Sequence, residues 1–162
     1  MADAVKLTEL LHDQDILLNV QISSKSAVLA LAAERLAQTT GLESAAILKA
    51  LTDREKLGST AISRGIAVPH AGVDSLAKSA AVFLRLARPI DFEAPDHDPV
   101  DLVFVTIWPS DMRNEMLATL GQLCRSLREP PLLQEFRTAA DAAQTRSLLT
   151  AIDNQPSPTK EK

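Results

Sequence analysis

The run Leu102-Val103-Phe104-Val105-Thr106-Ile107 restricts the folds open to this chain more than any other stretch. It is rich in β-formers, carries no charge and shows no alternation of polar and apolar positions. A strand of that composition offers no face to solvent, so it reads as fully buried. Ala80-Ala81-Val82-Phe83-Leu84 is a second short run of the same character. Between the two, Asp91 to Pro99 is polar and broken by prolines, which makes it a loop.

Helical periodicity fills much of the remaining sequence. Leu7 to Leu11 reads as a short helix, and Ile16-Leu17-Leu18 followed by Val20 as a strand. In the helix expected over Ser24 to Gln38, Leu29, Ala32, Ala33 and Leu36 fall at i, i+3, i+4 and i+7, and Thr39-Thr40-Gly41 supplies the stop. A second helix runs from about Leu42 to Arg54 with Ile47, Leu48 and Leu51 on one face. Glycines at 58 and 65 and a proline at 69 then predict a strand–turn–strand segment. Pro109-Ser110-Asp111 offers a helix start, and Met116, Leu120, Leu123 and Leu127 form an apolar stripe that Pro130-Pro131 ends. Two short helices follow before Ile152, and residues 154–162 read as a disordered tail without an apolar anchor. Helices and strands interleave, so the fold class is α/β.

The 162 residues suit one domain with one core. Hydrophobic residues make up 46% but aromatics only 3%, so packing rests on Leu, Ile, Val and Ala, and no aromatic platform exists for stacking sugars or bases. A net charge of -4 without a basic run argues against a nucleic-acid partner. Cys124 is the only cysteine, which excludes an internal disulfide and suits a reducing compartment. The start, Met1-Ala2-Asp3-Ala4-Val5-Lys6, has neither the charge nor the apolar core of a signal peptide, and no stretch is long enough to span a bilayer. A cytoplasmic protein without membrane insertion is expected.

Candidate chemistry gathers before Ala71. His70 follows Pro69 at the end of a glycine-punctuated segment that holds the hydroxyls of Ser59 and Thr60, with Arg54 and Arg64 nearby. A neutral imidazole is a nucleophile at cellular pH, and hydroxyls, guanidinium groups and backbone N–H groups suit a transferred phosphoryl group. The same residues also fit a histidine packed at a strand end, an arginine closing a helix and two ordinary turn residues. A metal site from His12, His70, His97 and Cys124 would need four distant segments to converge, and none holds a ligand pair at helical or turn spacing. No metal or cofactor is expected.

The order of these residues narrows the choice. Arg54-Glu55-Lys56-Leu57-Gly58-Ser59-Thr60-Ala61-Ile62, followed by Gly65-Ile66-Ala67-Val68-Pro69-His70, resembles the phosphohistidine signature of the IIA proteins of the bacterial phosphoenolpyruvate-dependent phosphotransferase system, in the fructose/mannitol/nitrogen-regulatory class. The resemblance runs from about Lys6 to about Ile152. It implies a single domain over 1–153, of the type 2 IIA kind, with a mixed β-sheet flanked by helices on both sides. It also implies that His70 accepts a phosphoryl group on Nε2 from an HPr-like phosphocarrier protein. Arg54 is then the first candidate to hold the phosphate, with Ser59 and Thr60 as hydroxyl donors to the phosphate or to His70. Arg64 stands at a variable position, as a solvated or partner-facing residue.

A free-standing domain resembles the nitrogen-regulatory branch most, where the charge on the histidine decides which proteins bind. Partners in that branch include potassium-transport regulators and sensor kinases. The alternatives are a sugar-specific IIA passing phosphate to a IIB protein for fructose or mannitol, and a regulatory binding module of the same fold without efficient relay. A docking patch is expected near Ile62, Ile66 and Val68, rimmed by Arg54 and Arg64. One departure stands out. Family members commonly carry a second histidine beside the phosphorylated ring, in a His-Leu-x-x-Leu run, and the matching run here is Met116-Leu117-Ala118-Thr119-Leu120.

Overall fold

In the computed structural model, which describes residues 2–155, the chain runs α1 (Leu7–Leu10), β1 (Ile16–Val20), α2 (Lys25–Thr40), α3 (Ser44–Lys56), β2 (Ile66–Ala67), β3 (His70–Val73), β4 (Ala80–Ile90), β5 (Val100–Pro109), α4 (Arg113–Ser126), α5 (Pro130–Thr138) and α6 (Ala142–Asp153). The charge-free run at 102–107 lies inside β5, where every residue from Leu102 to Pro109 is buried. β4 pairs with it antiparallel, Phe83 opposite Phe104. β1 adds to β4 in parallel, and β2 and β3 add in turn to the other side of β5, also in parallel. The sheet is therefore mixed, in the order β1-β4-β5-β2, with β3 continuing the edge that β2 begins.

Because side chains alternate along a strand, β4 and β5 feed two cores at once. Val82, Leu84, Val103, Val105 and Ile107 pack with α2 and α3 through Leu29, Leu36, Ile47 and Leu51. Phe83, Leu102, Phe104 and Trp108 pack on the opposite side with α1, α4, α5 and α6 through Leu7, Leu120, Phe136 and Leu149. The expected mixed sheet with helices on both sides is what the chain forms. Its few aromatics all sit inside: Trp108 and Phe83, Phe92, Phe104 and Phe136 are essentially inaccessible. Phe83, Phe104 and Phe136 form a trio with ring centroids 4.6, 5.8 and 5.7 Å apart. Tilted and edge-on pairs of this kind are each worth about 0.5–1.5 kcal/mol beyond their buried area.

Several boundaries differ from expectation for local reasons. α2 takes in Thr39 and Thr40, whose hydroxyls bond back to the Arg35 and Leu36 carbonyls, and ends at Gly41 with φ 79°. That left-handed conformation is what glycine supplies at a helix end. Of the strand–turn–strand segment, the first strand reduces to one bridge, Ala61 to Ala67. Pro130 and Pro131 begin α5 rather than end α4, which has already stopped at Ser126; a first helical turn has no use for proline's missing N–H. Ser110 does not cap α4, since its hydroxyl donates to Asp74 and the helix starts at Arg113 behind Met112. Asn154 and Gln155 close α6 through bonds to the Thr150 and Ile152 carbonyls, and the remainder of the expected tail, 156–162, lies outside the described residues.

Candidate functional site

His70 stands where the sheet edge breaks. β2 stops at Ala67, and the ladder with β5 resumes when Pro69 O accepts from Thr106 N–H at 3.0 Å. Pro69 has no N–H and a fixed φ, so Val68 and Pro69 interrupt the strand. The Val68 carbonyl is left out of the ladder and pairs with His70 Nδ1 at 2.9 Å. A carbonyl oxygen only accepts, so Nδ1 carries the proton and the lone pair resides on Nε2. The ring is half-buried. Burial lowers its pKa below the ordinary imidazole value, and the Arg54 and Arg113 cations add to this, against the opposing pull of the Val68 carbonyl and the Glu55 charge. The outcome is a neutral imidazole with a defined tautomer.

Arg54 lies in the last turn of α3, and one of its N–H groups donates to Gly58 O at 2.9 Å. The helix-closing and phosphate-facing readings are thus compatible: one donor is used and the guanidinium still acts on His70. Arg113 was not anticipated from the sequence. It is the exposed first residue of α4, and its charge too reaches His70. Met116, one turn further on, is buried among Trp108, Leu120 and Leu123. The thioether fills core space, and from this helix it is Arg113 whose charge acts on His70.

Ser59 and Thr60 face away from that role. Ser59 Oγ donates to Phe92 O at 2.7 Å and accepts from Ala61 N–H. Thr60 is buried, its hydroxyl and its N–H both donating to the Glu55 carboxylate, at 2.7 and 3.0 Å. Glu55 in turn pairs with Lys25 Nζ at 2.8 Å, and Lys25 also pairs with Glu93 and lies over the Phe92 ring, 5.1 Å from its centroid. Sequence reasoning quoted Glu55 without a role and passed over Lys25.

The expected docking patch does not exist as drawn. Ile66, inside β2, and Val68, just after it, are both buried. Arg64 is held elsewhere, its N–H bonded to Asp96 and its guanidinium to Arg128 O. Next to it Gly65, at φ 83°, is tied into a crowded corner, where a Cβ would come within 2.5 Å of the Arg137 guanidinium. Among the described residues, the large apolar side chains most open to solvent are Leu57, 84% exposed beside Arg54, and Leu117, 50% exposed one turn along α4 from Arg113. Of the expected set, Ile62 and Arg54 stay partly exposed. His12 and His97 are exposed and far from His70 in the chain, and the described residues hold no cluster of three or more His, Cys, Asp or Glu suited to a metal. No described helix is long and apolar enough to cross a membrane.

Comparison with known proteins agrees in one direction. Residues 9–152 match the family model described as the phosphoenolpyruvate-dependent sugar phosphotransferase system, EIIA 2. The chain is 37% identical over 143 residues to a nitrogen regulatory protein of Bradyrhizobium diazoefficiens, covering 88% of this chain and 94% of that one. The crystal structure of nitrogen regulatory protein IIA-Ntr from Neisseria meningitidis superposes with a TM-score of 0.85 at 30% identity, over 87% of this chain and 97% of the other. The fold is also that of mannitol IIA from Escherichia coli, solved in complex with phosphorylated IIB, with a TM-score of 0.75 at 23% identity over 87% and 97% of the two chains.

Proposed function

Because the chain belongs to the phosphotransferase-system EIIA 2 family, we propose that it carries a phosphoryl group on His70 Nε2, received from an HPr-like phosphohistidine protein. The observation that carries this reading is the Nδ1–Val68 bond, which leaves the Nε2 lone pair free on a ring kept neutral by its surroundings. In the transfer, the Nε2 lone pair forms a bond to phosphorus while the donor's P–N bond breaks and its electron pair returns to the donor imidazole. His70 keeps its Nδ1 proton throughout, and the positive charge the ring gains is met by the Val68 carbonyl. Arg54 and Arg113 supply cations to the phosphoryl oxygens, with Arg54 offering a planar fork of donors. Leu57 and Leu117 give the donor an apolar contact on either side.

The likeness to nitrogen regulatory proteins supports a regulatory carrier, whose charge state selects partners such as potassium-transport regulators or sensor kinases. The test is phosphorylation from phosphoenolpyruvate through purified general proteins of the system. One acid-labile phosphate per chain is expected, and none in His70→Ala. Label retained by that variant overturns the assignment, and onward transfer to a fructose or mannitol IIB protein would make the chain a sugar carrier instead.

A further inference from the structure

We propose that Lys25, Glu55 and Thr60 form a positioning relay that sets the tautomer and aim of the His70 ring, a role that rests on the phosphoryl-carrier reading but concerns residues that never touch the phosphate. The links are continuous. Lys25 Nζ bonds Glu55 Oε2 at 2.8 Å, and the Glu55 carboxylate accepts from both the N–H and the hydroxyl of Thr60. Thr60 O accepts from Val68 N–H at 3.0 Å, and Val68 O pairs with His70 Nδ1 at 2.9 Å. The residue whose carbonyl fixes the ring is therefore itself held, through the N–H of its preceding peptide, by Thr60, which two bonds tie to Glu55 of α3 and which Lys25 of α2 steadies through that carboxylate.

The need for such a clamp follows from the break in the edge strand. Val68 sits where the ladder to β5 is interrupted, so the sheet alone does not orient its carbonyl. Free neutral imidazole populates both tautomers, and a proton on Nε2 removes the nucleophile. Thr60, 4% exposed, has spent its hydroxyl on Glu55, which makes it a support of the ring rather than a ligand of the phosphate. Lys25 completes the clamp by neutralising a carboxylate that is itself only 9% exposed as a residue. Phosphorylated, the ring still has its Nδ1 proton, so the same relay serves both states.

The test is the tautomer of His70, read from the long-range nitrogen spectra of the full chain above the pH at which the ring titrates. The wild type should show the Nδ1–H form almost alone. Thr60→Val keeps the shape but loses the hydroxyl, and the minor Nε2–H form should rise about fivefold, the factor expected for one net hydrogen bond. Thr60→Ser should restore the wild-type ratio. Phosphoryl acceptance by Thr60→Val should fall in kcat with the KM for the donor unchanged, since the docking residues are untouched. If Thr60→Val does not fold, Glu55→Gln is read the same way. An unchanged tautomer ratio in the folded variant overturns the relay even if His70 is phosphorylated; a shifted ratio in a chain that accepts no phosphate upholds the relay and sinks the carrier reading.

Discussion

Among the described residues two carboxylates are buried, and the fold treats them oppositely. Glu55 accepts from the Thr60 hydroxyl and N–H and pairs with Lys25, all within 3.0 Å. Asp15, 1% exposed just before β1, has the Thr39 hydroxyl at 3.4 Å from one oxygen and no hydrogen-bond partner on the other. Arg35 stands close enough to act on it by charge, yet its guanidinium donates to Gln14 O and its Nε is also unpartnered. Burial consequently raises the Asp15 pKa, outweighing the pull of His12, Arg35 and Thr39. The contrast teaches where this chain has concentrated hydrogen-bond donors: beside the interrupted strand that holds His70.

The largest effect should come from removing the well-partnered group. Glu55→Leu leaves Lys25 with only the exposed Glu93 and leaves two Thr60 donors buried without an acceptor. Breaking a buried pair from one side costs about 3–5 kcal/mol, which urea unfolding at constant m would read directly. A stability change no larger than the small gain expected for Asp15→Asn would erase the distinction between the two sites.

Arg54 neighbours Glu55 on the same helical turn and should give the opposite signature. Arg54→Lys keeps the charge and replaces the fork with a point, so acceptance of the phosphoryl group should slow about tenfold, the equivalent of one charge-assisted bond of about 1.5 kcal/mol. Its stability should stay within about 0.5 kcal/mol of wild type, because the side chain is partly exposed. Rate loss accompanied by equal stability loss would place Arg54 with the scaffold. An unchanged rate would reduce it to a helix-closing residue.

His70 provides a subtler test, since burial acts on it in the direction opposite to Asp15. Burial favours the uncharged form of each, which raises an acid and lowers a base. With the His70 pKa lowered, the neutral ring persists to a pH below the ordinary imidazole value of about 6.5. The acid midpoint of single-turnover acceptance should therefore lie below pH 6.5. A midpoint at or above 6.5 would mean that the Val68 carbonyl and the Glu55 charge outweigh burial and the two arginines.

The sheet was legible because β4 and β5 are apolar without alternation, and α2 and α4 because their stripes keep helical spacing. The second half of the site was less so, yet a signal existed. Lys25 and Arg113 are each the first residue of a helix and Glu55 lies in the last turn of one, so all three oppose the helix dipole. A charge at the wrong end of a helix needs another reason to be there: Lys25 and Glu55 pair with each other, and Glu55 and Arg113 act by charge on His70. What no pattern could give was the exposure of Ile66 and Val68. Whether Ile66 and the residue after its two-residue strand turn inward depends on the register of β2 with β5, a contact across more than thirty residues of sequence.

The smallest expected effect, and the one that isolates the unpartnered carboxylate, is that of Asp15→Asn. The folded-state pKa of Asp15 is raised above the unfolded value, so the native state binds its proton more tightly than the unfolded chain does. The native state is therefore not penalised at a pH below about 3.9, where the carboxyl is protonated in both states. The penalty develops as pH rises and is complete above the raised folded value, where the fold must hold a charge it does not compensate. Asparagine never ionises and keeps an oxygen for the Thr39 hydroxyl. Asp15→Asn should then stabilise the protein at pH 7 by up to about 1 kcal/mol, on the scale of one net hydrogen bond, with the gain shrinking to zero as acid is approached. Paired urea titrations of the two proteins at pH 7 and near pH 3.5 separate the ionic contribution from the steric one. A loss of stability at pH 7 would show that Asp15 Oδ2 is engaged after all, and the two carboxylates would then differ in partners but not in kind.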